Sequence, residues 1–156
     1  MATRSIDKLL KSAQTKIKNA LKKEVVPYAI DTEIDQIYKY VYGAYEPVRY
    51  ERREDDGGLA SAKNFRVRNV DGGMKYEIVN VTRGKNKRSV DVASLVYGGD
   101  GYMGMQYDYP AADKRDPNRY RYLLARDYIT PTISELERKA ATVMKSSLEH
   151  SGLRVR

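Results

Sequence analysis

Side chains that could support catalysis are few in this sequence and far apart. Cysteine is absent and His150 is the only histidine, which excludes a Cys–His nucleophile pair and a zinc site of the usual kind. A positive charge near the end of a helix suits the helix dipole, and this accounts for His150 without catalysis. We therefore expect that the protein is not an enzyme and has no catalytic residues and no metal site.

Carboxylates and glycine-rich segments do not change this expectation. Asp55 and Asp56 lie in a polar segment, where nothing would separate their pKa values as acid–base catalysis requires. Asp100 and Asp108 lie near glycines, but the segment lacks the ligand spacing and the closing glutamate of a calcium loop. No G-x-x-x-x-G-K-[ST] phosphate loop is present. The sequence predicts neither a cofactor nor a small-molecule substrate.

Basic side chains are abundant, and the formal net charge is +8. Residues 1–23 contain many lysines but a single acidic residue, Asp7, and a second basic cluster is "RGKNKR", residues 83–88. Such clusters attract polyanions. The candidate contacts to DNA or to a protein partner are Arg83, Lys85, Lys87 and Arg88. The alternative is that the lysines of the first segment only form the solvated face of a helix.

Tyrosine is the dominant aromatic residue, with 14 copies against one Phe and no Trp. Tyrosines and arginines concentrate in "VYGAYEPVRYERREDDGGLA", residues 41–60. Both residue types are enriched where protein surfaces become buried against a partner. The stretch therefore suggests a contact surface. The alternative is that it folds back on its own sheet and the tyrosines close the core, and the two interpretations are compatible.

The elements that position these residues follow from hydrophobic periodicity. Apolar residues at three- and four-residue spacing predict an N-terminal helix, which Pro27 should kink or divide and which should end near Gly43. Alternation on both sides of Asp71-Gly72-Gly73 predicts a β-hairpin over residues 64–82. Residues 83–118 are rich in Gly, Pro and charge and predict a long irregular loop.

The end of the chain predicts a further strand near residues 119–129 and then an amphipathic helix that stops at Gly152. The apolar face of this helix is predicted to contain Ile133, Leu136, Ala140, Val143, Met144 and Ser147. This order of elements indicates an α+β fold in a single domain, residues 1–156, in which two helices cover a small antiparallel sheet. No apolar run is long enough to cross a bilayer, and we expect no membrane contact.

The sequence resembles the neck proteins of long-tailed bacteriophages, which join head to tail or complete the tail. In that family the first helix ends in V-Y-x-x-Y-x-P-x-x-Y-x-R-R, followed by Gly-Gly-Leu and an N-x-[hydrophobic] strand. The matching residues here are Val41, Tyr42, Tyr45, Pro47, Tyr50, Arg52, Arg53, Gly57, Gly58, Leu59, Asn64 and Phe65. A closing segment also matches, at Ala125, Arg126, Tyr128, Ile129 and Pro131.

The resemblance implies a structural virion protein that forms a homo-oligomeric ring in the neck, between the head connector and the tail tube. Its partners would be connector or stopper proteins, tail-tube or terminator proteins, and DNA in the lumen. It would assemble in the host cytoplasm and reside in the virion. The subunit interface would contain Tyr42, Tyr45, Pro47, Tyr50, Arg52, Arg53, Gly57, Gly58 and Leu59. The alternative from charge alone is a small basic nucleic-acid-binding protein.

Overall fold

A computed structural model describes residues 2–44, 53–54, 56–84, 91–98 and 125–155 of the chain. These residues form the expected α+β fold, with a long N-terminal helix, a C-terminal helix and a two-stranded antiparallel sheet. Across this described part, no helix combines the length and the apolarity needed to span a bilayer.

The N-terminal helix runs without a break over residues 2–42. It consists of α1 (Ala2–Ala20), a π-helical turn (Leu21–Val25), α2 (Val26–Ile37) and a second π-helical turn (Tyr38–Tyr42). The helix ends next to Gly43, as the sequence predicts. The Gly43 N–H donates to the Tyr38 carbonyl (2.8 Å) and completes the last turn.

Pro27 widens this helix instead of dividing it. A proline inside a helix has no N–H to donate, and its ring clashes with the carbonyl four residues earlier. The π-helical turn directly before Pro27 places one extra residue in that turn, and the Val26 N–H donates to the Leu21 carbonyl across five residues. The helix therefore continues past the proline.

The predicted hairpin is confirmed. Strands β1 (Phe65–Asn69) and β2 (Tyr76–Asn80) pair antiparallel, with Phe65 opposite Asn80 and Val67 opposite Ile78. Alternate residues of a strand share one face of the sheet, so this register places Phe65 on the core side and the arginines of β1 on the outer side. Phe65 and Asn80 are buried, whereas Arg66 and Arg68 are exposed.

The sequence predicts a strand near residues 119–129, and this prediction is wrong for residues 125–129, the part of that range that the structure describes. Residues 125–128 have no regular structure, and α4 (Ile129–His150) begins directly after them. The Arg126 N–H donates to the Val96 carbonyl (2.9 Å), so this segment pairs with the end of another helix rather than with a strand. Residues 119–124 lie outside the described part.

That other helix, α3 (Val92–Gly98), lies inside the region that the sequence predicts to be irregular. It begins after Asp91, whose carboxylate accepts the Ser94 N–H (3.2 Å) in the manner of a helix cap. Ala93 is buried in the core. Of the predicted loop over residues 83–118, the structure describes 83–84 and 91–98.

Both ends of α4 are fixed by specific hydrogen bonds. At its start, the Asp127 carboxylate accepts the Thr130 N–H (2.9 Å), which satisfies a backbone donor that has no partner within the helix. At its end, Gly152 adopts φ +82°, and the Leu153 N–H donates to the Leu148 carbonyl (3.0 Å). This is the glycine stop that the sequence predicts.

The helix α4 packs antiparallel to the N-terminal helix. Near its start, Thr130 and Pro131 line one groove with Lys39 and Tyr40, and near its end Gly152 approaches Lys16. The predicted apolar face of α4 is partly wrong. Ile133 is 50% exposed, whereas Thr132 and Leu148 are buried.

The core lies where α2, the hairpin, α3 and the start of α4 meet. Ile37 is the most deeply buried residue of this core, and each of these elements contributes a side chain to the core. Burial of one large apolar side chain stabilises a fold by roughly 1.5–3 kcal/mol, so even a small cluster of this kind can hold the elements together. The members are Ile37, Val41, Leu59, Ala60, Phe65, Ala93 and Tyr128.

Replacing Asp127 by alanine should lower the urea midpoint of unfolding, because the Thr130 N–H loses its acceptor. The hydrogen bonds from Thr130 hold the pKa of Asp127 below its usual range. The carboxylate therefore stabilises the fold at neutral pH, and this stabilisation is lost as the pH falls through its pKa. Asp127→Asn is the matched control, since it keeps an acceptor oxygen. Equal midpoints for Asp127→Ala and the wild type would contradict the assignment.

Candidate subunit interface

Residues 53–61 connect the N-terminal helix to the hairpin, and we name them the elbow. Three consecutive elbow residues are deeply buried: Leu59 at 3%, Ala60 at 2% and Ser61 at 1% exposure. A buried loop carries backbone groups that water cannot reach, and each needs a partner inside the protein. The elbow is therefore a structural element of the core as well as a connection.

Asparagine side chains at the base of the hairpin supply those partners. Asn64 Nδ2 donates to the Gly58 carbonyl (2.7 Å), and Asn80 Nδ2 donates to the Leu59 carbonyl (2.8 Å). Asn80 Oδ1 in turn accepts the hydroxyl (2.6 Å) and the N–H (3.2 Å) of Thr82. Asn80 and Thr82 are both buried, so this network joins elbow and hairpin through a dry contact.

The two glycines of the predicted interface motif are required by the elbow backbone. Gly57 adopts φ +75°, a left-handed conformation that other residues rarely take. At Gly58, an added Cβ would lie 2.3 Å from the Glu54 carbonyl oxygen, which is a backbone clash. Together with Leu59 in the core, these residues serve the fold of a single chain. Their predicted role at a subunit interface stays a prediction.

Tyr42 closes the core of its own chain. Its hydroxyl accepts the Ala60 N–H (3.2 Å), and its ring meets the Tyr38 ring edge to face at a centroid distance of 5.1 Å. The side chain is half-buried, and it packs against the core cluster. Tyr42 therefore folds back on its own chain, which was one of the two interpretations of the stretch 41–60. Because part of the Tyr42 surface stays exposed, a contact with a partner is also compatible with the structure.

Arg53 and Arg83, predicted as contacts of two different kinds, lie together. Arg53 Nη2 donates to the Arg83 carbonyl (3.0 Å) on the surface. Arg83 also pairs with Asp91 through an antiparallel bridge, and the Val92 N–H donates to the Thr82 carbonyl (3.0 Å). These bonds place Arg83, the first residue of the basic "RGKNKR" segment, beside both Arg53 and Asp91. The first residue of the basic cluster is therefore a neighbour of the elbow.

The other predicted contact residues lie outside the described part of the chain. They are Tyr45, Pro47, Tyr50 and Arg52 of the motif, and Lys85, Lys87 and Arg88 of the basic cluster. The structure therefore gives no contacts for them.

Further tyrosines extend the candidate surface beyond the motif. Tyr38 and Tyr40, in the last turn of the N-terminal helix, are each 39% exposed, and Tyr97 at the end of α3 is 47% exposed. The Lys39 ammonium lies 5.0 Å from the Tyr40 ring centroid, a cation–π distance. Tyrosine is enriched at protein contact surfaces relative to the rest of the surface.

A carboxyl group is half-buried where α2 meets the hairpin. Burial raises the pKa of Glu33 from the ordinary 4.5 to about 7, although a hydrogen bond from Asn80 opposes this shift. The neighbouring Tyr128 is 1% exposed, and burial together with the charges of Glu33 and Asp91 raises the pKa of its hydroxyl. Glu33 therefore belongs to the same polar network as the elbow.

Sequence reasoning missed Glu33, Asn80 and Thr82 as parts of this network. Glu33 lies three residues after Ile30 and four before Ile37, so helical spacing alone places it on the buried stripe of α2. The pattern Asn80-x-Thr82, directly after an apolar strand, is the second available signal, because such side chains commonly bond to nearby backbone.

The residues that the structure describes contain no candidate metal site. No group of three His, Cys, Asp or Glu side chains lies close enough together among them to hold an ion. His150 is exposed in the last turn of α4, and its Nδ1 lies 2.7 Å from the Ser146 carbonyl. Because a carbonyl only accepts, Nδ1 carries the hydrogen in this contact.

These features define an α+β protein in which a buried elbow packs against a tyrosine-rich end of the N-terminal helix. The chain belongs to the YomN family, whose family model matches residues 5–150. This membership indicates a phage-associated protein. No curated protein matches the sequence, and no solved structure matches it.

Replacing Asn80 by alanine should destabilise the protein by about 2–3 kcal/mol, because the buried Leu59 carbonyl and the Thr82 N–H both lose their partner. Urea unfolding monitored by circular dichroism measures this. Asn19→Ala, the same substitution at an exposed position of α1, is the matched control and should change stability by less than about 0.5 kcal/mol. A neutral Asn80→Ala would show that the network contributes no net stability.

The raised pKa of Glu33 predicts a specific pH dependence of stability. Between about pH 4.5 and 7 the folded protein holds a proton that the unfolded chain has released, so stability should fall as the pH rises through this window. Glu33→Gln should remove that fall, whereas Glu24→Gln, at an exposed position, should retain it. The measurement is the urea midpoint at a series of pH values. Identical profiles for wild type and Glu33→Gln would contradict the prediction.

Proposed function

We propose that this protein is a structural component of the virion of a tailed phage, which forms a ring in the neck and joins the head connector to the tail tube. The observation that carries the proposal is the Y-x-P-x-x-Y-x-R-R and Gly-Gly-Leu motif at the joint between the long helix and the hairpin. The phage association of the family supports the same setting.

The motif suits such a role because the residues on both sides of its middle part are fixed in the fold. Tyr42 is bonded to Ala60 on one side of the motif, and Arg53 is bonded to the Arg83 backbone on the other. Residues 45–52 lie between these anchors. In the proposal, Tyr45, Tyr50 and Arg52 contact the neighbouring subunit, with the tyrosines supplying area and the arginine charge-assisted hydrogen bonds.

The basic cluster suits a position at the lumen of the ring. Its first residue, Arg83, is held beside the elbow by its contacts with Arg53 and Asp91, so a subunit contact at the elbow would lie close to the start of the cluster. In the proposal, Lys85, Lys87 and Arg88 face DNA or the adjoining ring. Contacts to DNA phosphates release counterions, so this contribution should weaken with salt.

A second candidate function is a basic nucleic-acid-binding protein that acts without a ring. The formal charge of +8, with exposed Lys8 and Lys11 on one side of α1, favours it. The two functions differ in what they require. A neck protein is needed to join heads to tails, whereas a free DNA-binding protein is not.

Removing the gene from its phage tests the proposal. We expect DNA-filled heads and separate tails in electron micrographs of the lysate, and joined particles again when the wild-type protein is supplied. Tyr50→Ala and Arg52→Ala should each reduce rescue by at least about tenfold, the effect of an interface contact of 1.4 kcal/mol. Asn19→Ala, outside the proposed contact, should rescue fully.

The opposite outcomes are equally specific. Normally joined particles without the gene would refute the neck function. If, in addition, the purified protein bound DNA with an affinity that falls steeply with salt, the second candidate would replace it. Failure of the Tyr50 and Arg52 variants to fold, measured by circular dichroism, would assign those residues to the fold rather than to the interface.

A further inference from the structure

The hairpin forms a sheet of only two strands in the part of the chain that the structure describes, so β1 has one side without a neighbouring strand. The hydrogen bonds of the hairpin fix which residues face that open side. The Val70 N–H donates to the carbonyl of Lys75, its partner across the hairpin (3.0 Å). Because every second residue of an antiparallel strand bonds to the partner strand, Val67 and Asn69 direct their backbone N–H and C=O groups away from β2.

The helices do not cover this side of β1. Val67 and Ile78 lie opposite each other in the hairpin and share the face that looks towards the core. Ile78 packs against the core cluster, whereas Val67 is 43% exposed. All residues of β1 after Phe65 are exposed. A further chain can therefore approach the backbone of β1 from the side.

The open side of β1 has the features of a strand-binding edge. Within the described residues, the N–H and C=O groups of Val67 and Asn69 make no backbone hydrogen bond. Unpaired N–H and C=O groups along an exposed edge are a template for the addition of another strand. A sheet of two strands also gains stability from a third one.

The side chains of the edge indicate the chemistry of a strand that would fit it. Arg66 and Arg68 lie on the outer face of β1, on either side of Val67 along the strand. Arg66 has no hydrogen bond or ion pair within the described part of the chain. Arg68 contacts Glu77 (2.6 Å), but its side chain is 74% exposed, and such exposed pairs contribute little. Carboxylates placed opposite both arginines would form charge-assisted hydrogen bonds.

The same two arginines disfavour a second copy of β1 as the added strand. Two antiparallel β1 edges centred on Val67 would place Arg66 of each copy directly opposite Arg68 of the other. Like charges directly opposite each other in a sheet are destabilising. A strand that carries carboxylates avoids this repulsion, so the charges of the edge favour a different, acidic segment.

We propose that β1 accepts an extended acidic segment of a partner protein as a third, antiparallel strand. In this segment carboxylates alternate with β-branched apolar residues. The carboxylates lie opposite Arg66 and Arg68, an apolar residue lies opposite Val67, and the backbone of the segment bonds to Val67 and Asn69. The contact needs only the hairpin of one subunit, so it does not rest on the proposed ring.

A synthetic peptide of about seven residues tests the proposal, since this is an ordinary strand length. In the probe, glutamate alternates with valine or threonine, both ends are capped, and one end carries a fluorophore. Fluorescence anisotropy measures its binding to the full-length protein. We expect saturable binding, and binding at least about tenfold weaker when lysine replaces every glutamate. Absence of binding, or equal binding of the two peptides, would overturn the proposal.

Methylation of the peptide backbone separates strand addition from charge attraction. In the proposed arrangement the apolar residues of the peptide form the hydrogen-bonded pairs with β1, so their N–H groups point at β1 and those of the glutamates point away. N-methylation of the apolar residues should therefore abolish binding, whereas N-methylation of the glutamates should preserve it. An equal effect of the two modifications would rule out strand addition.

Variants of the protein locate the contact. Arg66→Glu should weaken binding of the glutamate peptide at least about tenfold. Lys8→Glu is the matched control, because it makes the same charge change at an exposed position of α1, and it should bind like the wild type. Val67→Pro removes an N–H that β2 does not use, so the hairpin should persist in circular dichroism while peptide binding is lost. Wild-type binding by Arg66→Glu would contradict the proposal.

Two other occupants of the edge would give different results. If single-stranded DNA binds in place of the peptide, and is lost in Arg66→Glu but kept in Val67→Pro, the arginines belong to a nucleic-acid contact. If the protein associates with itself in sedimentation as its concentration rises, and Val67→Pro prevents this, the occupant is a second copy. Either result would overturn the proposal of an acidic partner segment.

Discussion

The fold depends on burying a turn of backbone, residues 58–61, whose polar groups cannot reach water. An unpaired buried carbonyl costs about as much free energy as a lost hydrogen bond, and a small domain has little stability to spare. Asn64 and Asn80 satisfy the Gly58 and Leu59 carbonyls, and the Tyr42 hydroxyl satisfies the Ala60 N–H. These side chains hold the N-terminal helix, the elbow and the hairpin in fixed relative positions, because each hydrogen bond joins two different segments.

This constraint also explains why ionisable groups lie near the core. Asn80 donates to the Leu59 carbonyl and also lowers the pKa of the half-buried Glu33 carboxyl, so the side chain that fixes the elbow lies beside an acid. Tyr128 fills the adjacent core position at the entry to α4 and experiences the charges of Glu33 and Asp91. Ionisable groups from α2, from the start of α3 and from the entry to α4 therefore lie near one another beside the core.

Local sequence patterns were sufficient to predict the two long helices and the hairpin. They were insufficient to predict how these elements pack against one another. The hairpin follows from alternation around a glycine turn, and the stop of α4 follows from Gly152. The face of α4 does not follow from its own periodicity. Tyr128 is buried just before the helix, so Thr132, one turn later, follows it into the core, and Ile133 is rotated about 100° away. The buried network was missed because its members are polar and far apart in sequence.

The motif that suggests the family combines residues under two different constraints. Gly58 and Leu59 are fixed by close backbone approach and by burial, so any chain with this elbow needs them, whatever it binds. Arg53 bonds to a surface carbonyl, and Tyr42 is only half-buried although its hydroxyl accepts an elbow N–H. A residue required by the fold carries no information about a partner. Any functional content of the motif therefore has to come from its tyrosines and arginines, because the glycines and the leucine are already required by the elbow.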